Sequence, residues 1–306
     1  MLASLVRRAQ LLELAFAALL VAALALRWNW PLPEAIVAAA GVSLGIRALL
    51  CALSFAAGWW FRSPRAGLGW AAFLGLVARE YRVWLRFNLL DLPWESWRVR
   101  PDPVPTRAPR PCVVLIHGYF ANRGSFRTLA SRLEAIGAGP VFTPNLSAFH
   151  ADIARYANEL HAFLEGLCAV TGQPVVLVAH SMGGLAARAY RARHGEARLA
   201  RLVTIASPHH GTVLACLGQG PNAREMRRGS AFLAALERSE GERPVAIPAL
   251  SIRTPHDNIV MPQATCELGW ARNAVVPGEG HLSILESREL LALLEAEIRA
   301  ASSSAG

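Results

Sequence analysis

The sequence of 306 residues predicts an α/β fold with a mostly parallel sheet and helices on both faces, preceded by a hydrophobic helical hairpin. From residue 112 onward, short β-branched runs alternate with longer helical stretches, as in repeated βαβ units. The short runs lack polar alternation, which is typical of strands buried on both faces of a sheet. Two long apolar runs dominate the first 66 residues instead, so the N-terminal part is predicted to meet lipid.

The predicted hairpin occupies residues 1–66, with apolar runs at about 9–28 and 35–61. At about 1.5 Å per residue, the first run is just long enough to cross a bilayer. The intervening letters RWNWPLPE combine the tryptophans and prolines of an interfacial turn, so two membrane-spanning helices are the favoured interpretation. Two alternatives stay open: the first run is a signal peptide, or the second, interrupted by Arg47, packs on the protein or lies in the interface.

The arginines around the hairpin predict its orientation. Arg7 and Arg8 precede it and Arg62 and Arg65 follow it, whereas the turn carries only Arg27. Positive charge concentrates on the cytoplasmic side of membrane proteins. Both ends of the hairpin, and the α/β domain that follows, are therefore expected on the cytoplasmic side, with the opposite face as the alternative.

Residues 67–109 are predicted to connect the hairpin to the α/β domain. Segment 68–90 alternates apolar groups with arginines at helical spacing, so it forms an amphipathic helix that either lies on a membrane surface or caps the α/β core. Residues 101–111 contain five prolines, which exclude a helix and favour an extended spacer. The domain boundary is predicted there.

The α/β domain is predicted to span 110–300, and residues 301–306 to form a disordered tail. Only one helix, around 230–240, is predicted between 212 and 244, so a large lid is not expected. Strands are predicted at 112–116, 141–144, 174–179, 201–206, 247–253 and 273–276, and further helices at 124–137, 148–170, 183–194 and 284–299.

Charge and cysteine content argue against two other classes of protein. The net charge of +9 comes entirely from arginines, because the chain has no lysine, and these are scattered without the basic stripe of a nucleic-acid binder. The odd number of cysteines, with no C-x-x-C pair, indicates neither a zinc site nor a disulfide framework. One bridge, between Cys216 and Cys266, stays open as an alternative to free thiols.

The strongest chemical signal is PVVLVAHSMGGLAARAY at 174–190, where a predicted strand ends and a helix begins. Ser181 lies at the turn between them. A nucleophile on such a sharp turn needs small residues two positions before and after it, and Ala179 and Gly183 meet this need. Alanine replaces the first glycine of G-x-S-x-G, which is a small departure. Ser181 is therefore the predicted nucleophile.

A serine hydroxyl is a weak nucleophile, so a histidine must take its proton and a carboxylate must orient that histidine. On a sheet of this kind the chain order is serine, acid, histidine. Asp257 is the only aspartate after Ser181 and follows the apolar run at 247–252, so it is the predicted acid. Glu267 and Glu279 are the alternatives.

His281 is the predicted general base, because it is the only histidine after Asp257. It lies in PGEGHLSIL, directly after the strand predicted at 273–276, where a loop can bring it over the sheet. His256 is adjacent to the acid but precedes it in the chain, so we interpret it as a loop residue.

The tetrahedral intermediate of acyl transfer carries negative charge that two backbone N–H groups must stabilise. The N–H of Met182 is one predicted donor, at the start of the helix that follows Ser181. The N–H of Tyr119 is the other, because it follows His117 and Gly118 in the loop after the first predicted strand.

These residues resemble the bacterial lipases and esterases of the α/β-hydrolase family, in particular small triacylglycerol lipases with H-G near the first core strand and A-H-S-M-G at the elbow. The resemblance covers about 110–295, and TIASPHHGT at 204–212 is similar to a loop of that family. It implies the α/β-hydrolase fold. We interpret His209 and His210 as structural residues, and the sequence shows no acidic pair adequate for the calcium site that some relatives carry. The family's serine, acid, histidine and two donors correspond to Ser181, Asp257, His281, Met182 and Tyr119.

The expected function is a membrane-anchored serine carboxylic-ester hydrolase that forms an acyl-enzyme on Ser181, in a bacterial inner membrane. Its expected partners are a lipid-like or acyl-ester substrate and the membrane, without nucleic acid, metal or cofactor. An acyltransferase or thioesterase with the same triad is the first alternative. A membrane-anchored binding module without turnover is an alternative of a different class. Dehalogenation and epoxide opening need a carboxylate at the elbow, and Ser181 argues against both.

Overall fold

The computed structural model describes residues 1–62, 67–146 and 150–303. The strands are β1 (Val113–Ile116), β2 (Val141–Phe142), β3 (Val175–His180), β4 (Leu199–Ile205), β5 (Ala249–Arg253) and β6 (Arg272–Val275). The helices are α1 (Leu2–Trp28), α2 (Leu32–Trp60), α3 (Trp70–Arg86), α4 (Glu95–Arg98), α5 (Arg127–Ala135), α6 (Ile153–Thr171), α7 (Met182–His194), α8 (Pro221–Glu225), α9 (Ala231–Glu242) and α10 (Arg288–Ser303).

The six strands form one sheet in the order β2-β1-β3-β4-β5-β6, and every neighbouring pair is parallel. This arrangement confirms the predicted fold class. Ala179 near the end of β3 pairs with Ile116 on one side and Thr204 on the other, so the carboxyl ends of three central strands are level. Open parallel sheets bind ligands at this edge, which directs attention to the loops that leave it.

Each face of the sheet carries its own apolar core. Val114 and Ile116 of β1 point into the core covered by α6 and α7, whereas Val113 and Leu115 point into the core covered by α5 and α10. Successive residues of a strand face opposite sides, so a strand between two cores must be apolar throughout. This double burial is why the strands lack polar alternation.

Two helices on the sheet, α5 and α6, begin later than predicted, at Arg127 and Ile153. A 3-10 turn at Arg123–Phe126 precedes α5. The carboxylate of Asp152 accepts a hydrogen bond from the N–H of Arg155 at 2.8 Å, which caps α6 and fixes its start. The predicted start of α6 at 148 falls among residues 147–149, which lie outside the described residues.

The last helix is shifted toward the C-terminus relative to the prediction of 284–299. A 3-10 turn at Ser283–Glu286 occupies its predicted start. At its other end α10 continues to Ser303, three residues into the predicted disordered tail. Residues 304–306 lie outside the described residues.

The predicted hairpin is present as α1 and α2, which pack against each other and are each long and apolar enough to span a membrane. Between them the backbone of Asn29 adopts the left-handed conformation that ends a helix. Arg47 of α2 forms an ion pair with Glu13 of α1, and both side chains contact the hydroxyl of Ser43. The charge that interrupts the second apolar run is thus neutralised within the hairpin.

The amphipathic helix predicted at 68–90 is present as α3 and a π-helical turn that continues it, Phe87–Asp91. Leu76 and Val83 are fully buried, and the hydroxyl of Tyr81 donates a hydrogen bond to the carbonyl of Leu44 in α2 at 2.8 Å. The same helix also contacts the turn before α10. This helix therefore packs on the α/β domain, and its contact with a membrane surface stays a prediction.

Two buried or half-buried aspartates attach the connecting segment to the sheet. Asp91 accepts hydrogen bonds from three arginines, including Arg127 of α5 at 2.9 Å. Asp102, inside the proline-rich stretch, accepts hydrogen bonds from the hydroxyl of Thr143 at 2.9 Å and from Arg123 at 2.7 Å. The stretch is extended as predicted, but these bonds pack it on the domain, so it does not act as a free spacer.

Candidate active site

Ser181 lies between β3 and α7 with φ of 57° and ψ of −129°, an unusual conformation for a residue other than glycine. Its N–H donates a hydrogen bond to the carbonyl of Ile205 at 2.8 Å, which holds the strained turn on the sheet. A Cβ atom added at Gly183 would lie 2.6 Å from the carbonyl oxygen of Ile116, so no larger residue fits there. Ala179 is fully buried, and its methyl group is accommodated.

The structure brings together the three residues predicted to form the triad. The hydroxyl of Ser181 lies 3.0 Å from Nε2 of His281, whose Nδ1–H donates to Oδ2 of Asp257 at 3.0 Å. The other oxygen of Asp257 accepts hydrogen bonds from the N–H groups of Ile259 and Val260 at 2.8 and 2.7 Å. All three side chains are buried, so these hydrogen bonds replace the water that the polar groups have lost.

The other carboxylates considered as the acid have different partners. Glu267 forms an ion pair with Arg253 at 2.7 Å, and Glu279 faces Arg79 at 3.7 Å. His256, the other histidine near the acid, accepts a hydrogen bond from the N–H of Gly278 at 3.1 Å.

Two opposing effects set the proton affinity of His281. Burial alone would lower its pKa, because the charged imidazolium loses solvation. The negative charge of Asp257, the hydrogen bond to it and the charge of Glu80 outweigh burial and raise the pKa of His281 above its ordinary value. A raised pKa suits a base that must accept the proton of Ser181.

The backbone of His281 is held by two side chains that the sequence analysis did not single out. Nε2–H of His180 donates to the carbonyl of His281 at 3.0 Å, and the N–H of His281 donates to Oδ1 of Asn258 at 3.0 Å. Burial keeps the pKa of His180 well below its usual range, so this ring is neutral and retains its fixed donor. Each of these residues is adjacent in sequence to a predicted triad member, and this adjacency is the signal by which the sequence could have indicated them.

Glu80 of α3 reaches the loop of the predicted base from outside the sheet. Its carboxylate accepts hydrogen bonds from the N–H groups of Leu282 and Ser283 at 2.9 and 2.8 Å. Burial raises its pKa, an effect that the two N–H donors partly oppose. A Cβ atom at Gly280 would lie 2.5 Å from this carboxylate, so Glu80 and Gly280 fit as a pair. No local motif marks Glu80, because the contact spans about 200 positions.

The C-terminal half of α2 packs directly against the loop that carries Asp257. The amide Nδ2–H of Asn258 donates to the hydroxyl of Ser54 at 2.8 Å. A Cβ atom at Gly58 would lie 3.0 Å from the carbonyl oxygen of Asp257, so the helix backbone and the loop are in close contact. The amide of Gln263 donates to the same carbonyl at 2.7 Å. The hairpin is thereby connected to the residues around His281.

The loop after β1 crosses the nucleophile. A Cβ atom added at Gly118 would lie 2.7 Å from Cβ and 3.2 Å from Oγ of Ser181. Nδ1–H of His117 donates to the carbonyl of Gly118 at 3.0 Å, while its Nε2 accepts from the N–H of Leu146 at 3.1 Å. Burial lowers the pKa of His117 to about 4, so the neutral ring keeps this tautomer.

The fixed carbonyl of Gly118 has a consequence for the predicted donor at Tyr119. In a planar trans peptide the N–H points away from the preceding C=O, so a carbonyl directed at His117 turns the N–H of Tyr119 the opposite way. The hydroxyl of Tyr119 also donates to the carbonyl of Gln219 at 2.8 Å, which restrains the residue further. Met182, the other predicted donor, is the first residue of α7, where N–H groups have no partner within the helix.

A cavity of about 440 Å³ lies against Ser181 and His281. Its walls come from three parts of the chain, and most of the side chains are apolar. The α/β domain contributes Phe120, Leu214, Met226 and Ile259. α3 and the π-helical turn after it contribute Trp84 and Phe87, and the hairpin contributes Val6 and Leu50. A volume in this range is typical of small-molecule sites.

Two cysteines and two histidines from the sequence analysis lie outside the predicted triad. Cys216 is exposed and Cys266 is buried, and they are not bridged. His209 contacts the hydroxyl of Thr204 at 2.9 Å, and His210 donates to the backbone of Glu267. Among the described residues, no three acidic, histidine or cysteine side chains are grouped closely enough to hold a metal ion.

The family model described as the alpha/beta hydrolase family matches residues 113–279, more than half of the chain. The chain belongs to this family. The matched range includes the elbow at Ser181 and the acid loop at Asp257, and it ends two residues before His281. The matched range begins at Val113, the first residue of β1.

Over 112 residues, this hydrolase-family chain is 35% identical to triacylglycerol lipases of Pseudarthrobacter phenanthrenivorans and Burkholderia plantarii. The aligned part covers 34% of this chain and 34% and 31% of the two relatives. The chain thus spans about a third of the length of the curated relatives it matches. Among solved structures, the mature Bacillus licheniformis lipase BlEst2 is similar in fold, with a TM-score of 0.57 at 17% identity, covering 65% of this chain and 96% of that chain.

Proposed function

We propose that this protein is a membrane-anchored serine hydrolase that cleaves carboxylic esters of a lipid-like substrate. The observation that carries the proposal is the hydrogen-bonded chain from Ser181 through His281 to Asp257 at the wall of an apolar cavity. In this proposal residues 110–300 form the catalytic unit, and the N-terminal 109 residues both anchor and complete it.

The geometry supports a two-step acyl transfer. The oxygen of Ser181 attacks the ester carbonyl carbon while its proton passes to Nε2 of His281, and Asp257 stabilises the imidazolium that forms. The oxyanion accepts hydrogen bonds from the N–H groups of Tyr119 and Met182. His281 then protonates the departing alcohol, which leaves an acyl group on Ser181. Water, deprotonated by His281, attacks this acyl-enzyme and releases the carboxylic acid.

Three features support a lipid-like substrate and a membrane anchor. The cavity is lined mainly by apolar side chains, and the relatives named above are triacylglycerol lipases. The 29 residues of α2 are long and apolar enough to cross the hydrocarbon layer of a bilayer. Exposed tryptophans flank both ends of this helix, as expected for side chains at the two interfaces, namely Trp28, Trp30, Trp59 and Trp60.

The proposed location is a bacterial inner membrane with the catalytic unit on its cytoplasmic side. A hairpin returns the chain to the side on which it began, and the arginine distribution favours the cytoplasm for that side. Arg7, one of these arginines, donates to the carbonyl of Pro93 at 2.7 Å, so it lies on the same side as the catalytic unit. Arg65 lies outside the described residues.

The proposal is tested with the full-length protein in lipid vesicles. Release of fatty acid from a glycerol ester and covalent labelling by a fluorophosphonate are both expected, and both are expected to disappear in Ser181→Ala. Ser239→Ala on α9 is the matched control, because its hydroxyl donates to the carbonyl of Leu236 in its own helix, away from the triad. Undiminished ester cleavage by Ser181→Ala would contradict the proposal. Transfer of the acyl group to an added alcohol or faster cleavage of the matched thioester would favour the acyltransferase or thioesterase alternatives.

A further inference from the structure

A second cavity, of about 360 Å³, lies between α1, α2 and the end of α3. It is formed by the hairpin together with Trp84 and Asn88, so no part of the family domain contributes to it. Most of its walls are apolar, with Phe16 on α1 and Val42 and Ile46 on α2. The proposed hydrolysis does not by itself require a cavity at this place.

The second cavity adjoins the one at Ser181. Leu50, Trp84 and Asn88 line both cavities, so the two are separated by no more than these side chains. Along α2 the catalytic cavity reaches Ser54 and the second cavity reaches Ala39, a distance of about 22 Å at the rise of an α-helix. The combined space is therefore elongated and runs parallel to the hairpin.

The second cavity also opens onto the outer surface of the hairpin. Four of its apolar lining residues are substantially exposed, which an enclosed cavity would not allow: Phe16 by 59%, Val42 by 43%, Ile46 by 53% and Leu50 by 54%. In a hairpin that spans a bilayer, this surface faces lipid chains. The second cavity thus lies between the hydrocarbon layer and the cavity at Ser181.

The polar residues of the second cavity identify the kind of occupant. The guanidinium of Arg47 forms an ion pair with Glu13, and both its Nη groups are bound to that carboxylate. The hydroxyl of Ser43 bonds to the same pair. The cavity therefore offers no uncompensated charge to an anionic headgroup, whereas its apolar walls suit a hydrocarbon chain.

We propose that the second cavity binds the acyl chain of a membrane lipid ester, which moves laterally from the bilayer while its ester group reaches Ser181. This inference rests on the proposed ester hydrolysis and adds the substrate class: long-chain esters dissolved in the membrane. The hairpin then forms part of the substrate site as well as the anchor. Long chains react faster because the cavity holds the ester in line with Ser181, and a misplacement of about 1 Å can slow such a reaction about 100-fold.

The test uses two matched tryptophan variants of the full-length protein in vesicles of zwitterionic lipid. Ile46→Trp fills the second cavity, and Ile36→Trp is its control, because the two isoleucines lie on the same helix and are exposed by 53% and 52%. Only Ile46 lines the cavity. Rates are measured for butanoyl, octanoyl and palmitoyl esters of glycerol.

Ile46→Trp is expected to lower the ratio of palmitoyl to butanoyl cleavage by at least about tenfold, because the ester of a displaced chain is held out of line. Ile36→Trp is expected to keep the wild-type ratio. Equal ratios in Ile46→Trp and Ile36→Trp would overturn the inference, as would a change in headgroup preference at constant chain-length preference. If Ile46→Trp does not fold, Val42→Trp and Leu44→Trp give the same comparison, since the two residues are exposed by 43% and 45% and only Val42 lines the second cavity.

The failure of this inference is distinguishable from the failure of the proposed function. Cleavage of the butanoyl ester that persists in Ser181→Ala contradicts the proposed function itself. Cleavage that depends on Ser181 but responds equally to Ile46→Trp and Ile36→Trp contradicts only the acyl-chain site.

Discussion

The α/β domain and the N-terminal helices contribute to the site in different ways. Residues 113–303 contain the whole hydrogen-bonded chain of Ser181, His281 and Asp257, at the sheet edge where parallel folds place their ligands. Residues 1–98 contain none of these groups. They supply the side chains of α2 and α3 that hold the two loops carrying His281 and Asp257, and one wall of the cavity.

This difference shows that the N-terminal helices contribute more to the site than the proposed anchoring alone. Glu80 bonds to two N–H groups of the base loop, and Ser54 bonds to Asn258, which in turn binds the N–H of His281. The α/β domain supplies the chemistry, and the helices fix its geometry. Substitutions in the first region should remove activity, whereas those in the second should change its pH dependence or reduce it partially.

The largest effect is expected for Asp257→Asn. Loss of the carboxylate leaves His281 in the wrong tautomer, which lowers kcat by about 10⁴-fold in related triads. The charge of Asp257 also raises the pKa of His281, so its loss lowers that pKa and moves the acid limb of the remaining activity to lower pH. Ester hydrolysis measured from pH 5 to 9 checks both changes. Glu267→Gln is the control, and equal activity of the two variants would contradict the assignment of the acid.

Gly118→Ala should follow in size. The added methyl group would lie 2.7 Å from Cβ of Ser181, so the loop must move and carry the N–H of Tyr119 with it. Loss of one oxyanion donor costs about 10²- to 10³-fold in kcat. Gly166→Ala on α6, where the new methyl group meets open space, is the matched control. Steady-state kinetics with a single short ester checks the difference, and wild-type kcat in Gly118→Ala would contradict a donor in this loop.

Glu80→Gln tests the contribution of α3. The amide keeps the shape of the side chain, but it has one neutral oxygen in place of the two anionic oxygens that accept hydrogen bonds from Leu282 and Ser283. A loss of about tenfold in kcat is therefore expected. Because the charge of Glu80 helps to raise the pKa of His281, its removal lowers that pKa. The acid limb therefore moves to lower pH, a shift that a purely structural defect would not produce. Exposed Glu289 provides the control variant, Glu289→Gln.

The smallest effect is expected for Ser54→Ala in the hairpin. It removes one hydrogen bond to Asn258, worth about 1 kcal/mol, so a loss of roughly fivefold in kcat is expected. Ser4→Ala on α1 is the control on the other hairpin helix. Activity of Ser54→Ala equal to that of the control would show that α2 does not help to hold the base loop.

The two regions also differ in how much of them was predictable from the sequence. Ser181, Asp257 and His281 could be named because the turn around Ser181 needs small neighbours and the fold fixes the chain order of the other two. The parallel sheet followed from strands that are apolar on both faces. Helix boundaries were predicted less well. Short 3-10 turns such as Ser283–Glu286 occupy positions predicted as the start of a helix, because nothing in their residues distinguishes them from a helical turn.

The contacts of the N-terminal helices had no local signature. Glu80 is one acidic residue on an arginine-rich helix, and its partners Leu282 and Ser283 lie about 200 positions away. Likewise, nothing in the sequence around Ser54 indicates its bond to Asn258. Such contacts depend on the packing of α2 and α3 against the domain, which periodicity does not determine.

The central claim, an acyl-enzyme on Ser181, is tested most directly by mass spectrometry. The full-length protein is mixed with an octanoyl ester, the reaction is stopped with acid within one turnover, and the peptides are analysed. We predict an octanoyl group on the peptide that contains Ser181, and no octanoyl group on this peptide in His281→Ala, because the same base is needed to form the acyl-enzyme. Ester cleavage without any acylated peptide, or with the acyl group on another residue, would contradict the account.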